Sequence, residues 1–213
     1  MLKLYNYPKS STSYRVRIAL NYKNIAYEKI HINLLNGEQL SAAYAQINSA
    51  KGLPTLQLEN GEYLVQSLAI LEYLEEFYPT PAILPQNTQA RAYVRAVANM
   101  IACDMHPLNN LRVLKYLQND LQQPQKIIED QWRPHWLHLG FSALEQFIKH
   151  SDFYSGTYCC GDQVSLADMC LVPQVYSAKR FNLDLSAYPC ITKICNQLNT
   201  LEAFVLAAME IQA

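Results

Sequence analysis

The chain has 213 residues, half of them apolar, with 17 basic against 18 acidic side chains and a formal net charge of -1. Such a chain sets up no overall basic field for nucleic acid and carries no acidic tail, and no apolar run approaches the length of a membrane span or a secretory leader. The six cysteines, Cys103, Cys159, Cys160, Cys170, Cys190 and Cys195, are spaced neither as a metal-ligand array nor as a small disulfide scaffold, so reduced thiols in a cytoplasmic protein are expected.

The opening "LKLYNY" alternates with Leu2 and Leu4 on one face, the period of a strand. In "SSTSYRVRIAL", Ser10 to Leu20, helical spacing takes over at Val16, Ala19 and Leu20, and Asn24 suits a left-handed end. A second strand is read from "AYEKIHINL", with Ile30 and Ile32 on one face, and a looser helix from Gln39 to Ile47. "LPTLQLENGEYLVQ" predicts a hairpin through Asn60-Gly61, a pair suited to a tight turn with positive φ. Ser67 is expected to cap a helix carrying Leu68, Leu71 and Leu74. The order β-α-β-α-β-β-α makes a small mixed sheet with helices on both sides.

Pro79, Pro81 and Pro85 in "YPTPAILPQN" stop the helix and stiffen a connection. The boundaries expected are an α/β domain over 1–80, a linker over 81–88 and an all-helical domain over 89–213. Within the helical half, Ser165 and Asp168 have capping-box spacing, with Val164 before them for a hydrophobic staple. "EDQWRPHWLHLGF" places His135 and His138 among aromatics, but its spacing fits a packed amphipathic helix with Trp136 and Leu139 inside, and no metal is expected.

The chemistry is suggested by hydroxyls. Ser10, Ser11, Thr12 and Ser13 stand together at a helix mouth, where one residue would suffice to cap. A helix N-terminus favours an anion, hydroxyls add donors, and Arg15 and Arg17 add positive charge. A hydroxyl donating to sulfur lowers a thiol pKa, so the cluster could stabilise a thiolate or an oxyanion as well as cap. Pro54 opens a strand, which fits an edge strand or a cis bond. Gln66 and Ser67 form another helix start, able to take a carboxylate or simply to cap.

The segments "SSTSYRVRIAL", "GLPTL", "QSLAILEYL", "HPLNNLRVLKYL" and "GDQVSLADMCLVPQVYSAKRF" together resemble the zeta-class glutathione transferases, in order over nearly the whole chain. The resemblance implies an N-terminal thioredoxin-like domain that binds glutathione, followed by a helical domain. It implies Ser10, Ser11 and Thr12 as the catalytic segment, with Ser10 as the main thiolate donor. Glutathione contacts are carried over to Ser10, Ser11, Thr12, Ser13, Tyr14, Arg15, Gln39, Leu53, Gln66, Ser67, His106, Asn110, Leu111 and Arg112. Arg15 and Arg180 are carried over as receptors of the acceptor's carboxylates, a task that guanidinium performs bidentately. Thr12 stands where the family usually has cysteine, keeping a hydroxyl and losing a thiol.

The reaction implied is the glutathione-dependent cis-trans isomerisation of a small unsaturated dicarboxylic keto acid, maleylacetoacetate to fumarylacetoacetate, in tyrosine and phenylalanine breakdown. The thiolate adds to the conjugated double bond, the single bond left behind rotates, and glutathione is expelled. The same scaffold could serve a maleylpyruvate isomerase or a transferase acting on α-halo acids. A non-catalytic glutathione-fold binding module is the alternative outside enzymes. A homodimer is implied, with no partnership to nucleic acid or membrane.

Overall fold

In the computed structural model every residue except Glu210 and Ala213 is described. The alternating apolar positions at the start make β1 (Leu2–Asn6), with Leu2, Leu4 and Asn6 buried. Ser10 caps α1 (Ser11–Tyr22). The far end of α1 closes as expected with Asn24 at φ 54°. Asn24 N–H donates to Asn21 O and Ile25 N–H to Leu20 O, which satisfies two carbonyls the helix leaves over. β2 (Tyr27–His31) then pairs parallel to β1, with Leu4 opposite Lys29.

The looser helix resolves into a 3-10 turn, Glu38–Leu40, and α2 (Ala42–Ile47), whose cap Ser41 accepts from Tyr44 N–H. β3 (Thr55–Gln57) and β4 (Tyr63–Val65) form the predicted hairpin, and β3 runs antiparallel to β1 with Leu56 opposite Leu4. The strand order is β2-β1-β3-β4. The turn differs from expectation: Gly61 has φ 91°, while Asn60 is not in the positive region. Gly61 N–H donates to Leu58 O and Leu58 N–H to Glu62 O, so the loop is longer by a residue than the pair alone would make it. α3 (Ser67–Phe77) buries Ile70, Leu71 and Leu74 and leaves Leu68 half-buried. With Leu4, Val16, Ile18 and Leu56, also fully buried, these side chains form the core of the sheet layer. Each contributes about 1.5–3 kcal/mol by leaving water.

By internal packing the chain divides into two units, one comprising residues 1–83 with a C-terminal segment from Asn199, the other Leu84–Leu198. The proline connection thus lies at the division. The second unit is helical. α4 (Thr88–Asn99) widens into a π turn at Met100–Met105, and a 3-10 turn at Pro107–Asn109 leads to α5 (Leu111–Asn119). The short α6 (Gln125–Ile127) and a second π turn, Ile128–Trp132, run into α7 (Arg133–Lys149). α7 buries Leu137, Phe141, Leu144 and Ile148, whereas Leu139 is 56% exposed and Trp136 only half-buried. The expected inward face was therefore out of phase. His138 Nδ1 meets the Tyr188 hydroxyl at 2.7 Å, and among the described residues no cluster of three or more His, Cys, Asp or Glu could hold a metal.

α8 (Leu166–Arg180) starts with the predicted box: the Asp168 carboxylate accepts from Ser165 N–H, the Ser165 hydroxyl and Cys159 N–H, with Val164 buried before it. Burial pushes the Asp168 carboxyl up, against those bonds. α9 (Pro189–Leu198) is capped from afar, by Glu145 of α7 accepting from Cys190 and Ile191 N–H at 2.9 and 3.0 Å. Cys159, Cys170 and Cys195 are buried and unpaired by disulfides.

α10 (Glu202–Ala207) belongs with the first unit and packs on α1. Arg17, fully buried, secures it. Its guanidinium donates to Ala207 O at 3.0 Å, Asn6 Oδ1 at 2.6 Å and Pro8 O at 3.1 Å, and lies over the Tyr14 ring. Burial lowers its pKa to about 10, which leaves it charged at neutral pH. Tyr14 OH donates to Phe204 O and Asn21 to Ala203 O along the same seam. No helix among the described residues is long and apolar enough to cross a membrane.

Candidate active site

Within the first unit, α1 gathers the serine loop, the Pro54 loop and the start of α3. Ser10, at φ -80° and ψ 116°, has the extended backbone of a cap, and its Oγ accepts from Ser13 N–H at 3.2 Å. Thr12 Oγ1 donates to Leu53 O at 2.8 Å, across the cis Leu53-Pro54 bond that the sequence suggested. Thr12 Oγ1 also lies 2.9 Å from Ser10 Oγ. A hydroxyl has one proton. Since Thr12 commits its proton to Leu53, Ser10 is the donor in the Ser10–Thr12 bond.

In this structure the Ser10 proton is directed at Thr12 and its lone pair at Ser13 N–H. Ser11, buried at the first helical position, is the other hydroxyl of the pair. Ser13 is fully buried. Tyr14 points its phenol away, toward Phe204.

One turn along α1, Arg15 is 1% exposed and donates from Nη1 to Ser67 Oγ at 3.2 Å. It lies beneath the start of α3, adding positive charge to a helix N-terminus that is already favourable to a carboxylate. The expected cap at Ser67 is corrected. Ser67 is the first helical residue, and its oxygen serves Arg15. Gln66 takes the cap position at φ 69° and ψ 118° and makes no side-chain cap bond. A glutamine held there costs about 1–3 kcal/mol, the kind of local strain that collects at binding sites. Gln39, on the 3-10 turn, is buried with its Oε1 lacking a hydrogen-bond partner. A buried amide oxygen in that state suits an N–H-bearing ligand.

In the second unit, Asn110 caps α5: its Oδ1 accepts from Arg112 N–H, and its Nδ2 lies 3.3 Å from His106 Nε2. Leu111 is half-buried and Arg112 exposed. The preceding Asn109 has both amide atoms buried without partners, a feature that local sequence does not disclose. Arg180 ends α8 and is exposed. Next to it Phe181 carries a second guanidinium, that of Arg133, 3.7 Å from the ring centroid. Sequence reading passed over Arg133 because it sits inside an aromatic helix pattern.

Comparison with known proteins places the chain among relatives of one fold. Residues 1–76 match the family described as glutathione S-transferase, N-terminal domain. The chain is 45% identical to a probable maleylacetoacetate isomerase of Vibrio cholerae, over 99% of this chain and 97% of that one. It is similar to the holo structure of a maleylpyruvate isomerase, a bacterial glutathione S-transferase of the zeta class, with TM-score 0.94, 41% identity and coverage of 99% and 98%. It is also similar to the maleylacetoacetate isomerase of Methylobacterium extorquens AM1 with bound malonate and glutathione, with TM-score 0.96, 35% identity and coverage of 99% and 98%.

Proposed function

The chain belongs to the zeta-class glutathione transferase family, and from that premise we propose that it is a glutathione-dependent maleylacetoacetate isomerase, converting the cis keto acid to its trans isomer. One observation carries the reading. Two bonds from one helix, Thr12 to Leu53 O and Arg15 to Ser67 Oγ, draw together the segments that a thiol tripeptide needs.

The residues present fit glutathione. The unpartnered Gln39 Oε1, the main chain at Leu53 and the start of α3 at Gln66 and Ser67 supply an acceptor, a strand-like edge and an anion-favouring helix end. His106, Asn110, Leu111 and Arg112 are assigned to glutathione from the helical unit, and Arg180 to a carboxylate of the acceptor. When bound, glutathione supplies the ionised thiol that adds reversibly to the conjugated double bond.

The chain's own residues then do three things. The α1 N-terminus and the serine hydroxyls favour the negative charge on sulfur. Arg15, through Ser67, reinforces the helix end that holds the tripeptide's carboxylate. Arg180 orients the acceptor, and holding both reactants together can contribute several kcal/mol. No side chain has to act as a nucleophile. We also propose a cytoplasmic homodimer.

The test is an isomerase assay with maleylacetoacetate, with and without glutathione, on the wild type, Ser10→Ala and Ser11→Ala. Glutathione-dependent turnover that falls at least a hundredfold in one serine variant is expected. Turnover of maleylpyruvate alone would select the second reading, to which the similarity with a maleylpyruvate isomerase points. Absence of glutathione binding would refute both.

A further inference from the structure

We propose that Arg133 and Arg180 together form a two-guanidinium receptor for one carboxylate of a small dicarboxylic acid, with the Phe181 ring as the platform that spaces them. The identity of that acid as the isomerase substrate rests on the function proposed above; the receptor itself rests on the following geometry.

Phe181 follows the last residue of α8, and both guanidinium groups approach its ring. Arg133, the first residue of α7, stands 3.7 Å from the centroid, within stacking distance, and Arg180 stands 6.0 Å from it. Stacking on the aromatic face directs the in-plane N–H edge of the Arg133 guanidinium away from the ring, where a carboxylate can meet it edge-on. Arg133 also has an unmet donor: its Nε is buried and has no hydrogen-bond partner.

Two like charges on one ring repel. Among the described residues no carboxylate lies within ion-pair distance of Arg133 to offset this. Glu129, one turn back, is exposed and accepts from Gln125 Nε2. The groups that act on Arg133 agree with the picture: burial and the Arg180 charge both lower its pKa, and Glu129 opposes them. Such a pair is relieved by an anion seated between its members.

The receptor is also anchored to the neighbouring ligand segment of the same unit. Trp132, directly before Arg133, donates its Nε1–H to Leu108 O at 2.8 Å. That bond ties the start of α7 to the His106–Asn110 stretch assigned to glutathione. The only tryptophans in the chain are Trp132 and Trp136, so intrinsic fluorescence reports from beside Arg133.

The experiment measures malonate binding to the full-length protein, saturated with glutathione at fixed ionic strength, by tryptophan fluorescence and by calorimetry. The variants are Arg133→Gln, Arg180→Gln, Arg133→Lys and, as a control for general charge, Lys179→Gln, which removes an exposed cation one residue away. Losing one charged fork from a carboxylate is worth about tenfold to a hundredfold in affinity. Malonate Kd is expected to rise at least tenfold in Arg133→Gln and in Arg180→Gln, less in Arg133→Lys, and less than twofold in Lys179→Gln. An Arg133→Gln protein that melts as the wild type does and binds malonate within twofold of it would overturn the proposal. So would a loss in Lys179→Gln as large as that in Arg133→Gln. If the wild type turns over no cis keto acid while malonate binding still falls in both arginine variants, the isomerase reading fails and the receptor stands.

Discussion

Replacing Thr12 with valine keeps the shape of the side chain and deletes one oxygen. That oxygen donates to Leu53 O at 2.8 Å and accepts from Ser10 Oγ at 2.9 Å. Each bond contributes about 0.5–1.5 kcal/mol net, and Ser10 is buried, so its hydroxyl must find another partner. The expected loss is about 1–3 kcal/mol. At about 2–4 °C per kcal/mol for a chain of this size, Tm should fall by roughly 2–12 °C. With the Pro54 loop no longer tied to α1, glutathione Kd should rise by about tenfold. Thr12→Ser keeps both bonds and should stay near the wild type. Thr12→Cys, which restores the usual family residue but offers only a weak S–H donor, should fall between. Thermal unfolding and glutathione calorimetry on the three variants check this. If valine matches the wild type in Tm and Kd while serine is the damaged one, then packing of the methyl group holds the loops together and the hydroxyl argument is wrong.

Other substitutions test the frame around the site. Arg17→Lys replaces a planar fork by a point donor and strands some of the acceptors at Asn6, Pro8 and Ala207; a loss of about 3–4 kcal/mol is expected in urea unfolding. Gly140→Ala would set a Cβ 2.3 Å from Met105 Cγ, so overpacking of about 1–3 kcal/mol is expected, partly recovered by adding Met105→Ala, with melting temperature as the readout. Asp168→Asn turns an amide N–H toward the donors at Ser165 and Cys159; about 2–4 kcal/mol of stability should be lost in chemical denaturation, and glutathione affinity per folded molecule should not change.

What the sequence disclosed was local. Periods of two and of helical spacing identify the strands and helices, Asn24 announces its left-handed end, and Ser165 with Asp168 announces a capping box, because each signal lies within a few residues. The failures have one physical source. Ser67 looks like a cap until Arg15, far back along the chain, is found occupying its oxygen. Arg15 and Arg17 in "YRVRIAL" could be read as positive charge near an anion site, but not as buried donors, since Arg15 ends on Ser67 and Arg17 on Ala207, segments that no local window includes. Ser10 could be named as a donor, but which way its proton points depends on Thr12 and Leu53. In α7, Leu139 was assigned inward because several faces of that helix carry apolar residues, and only packing selects one. Arg133 was invisible for a related reason: its meaning comes from Phe181, on another helix's end.

The seam between α1 and α10 has a consequence for biosynthesis. Arg17 and the carbonyl of Ala207 are 190 residues apart in the chain. A ribosome adding about 5–20 residues per second needs roughly 10–40 seconds to go from one to the other. Throughout that interval the nascent first unit holds a guanidinium whose final acceptor has not been made, and a face of α1 that nothing yet covers. The sheet that carries the serine loop is therefore synthesised before the helical unit and completed after it. Stalling the ribosome shortly before Ala207 emerges should leave that sheet open to protease, and releasing the stall should close it.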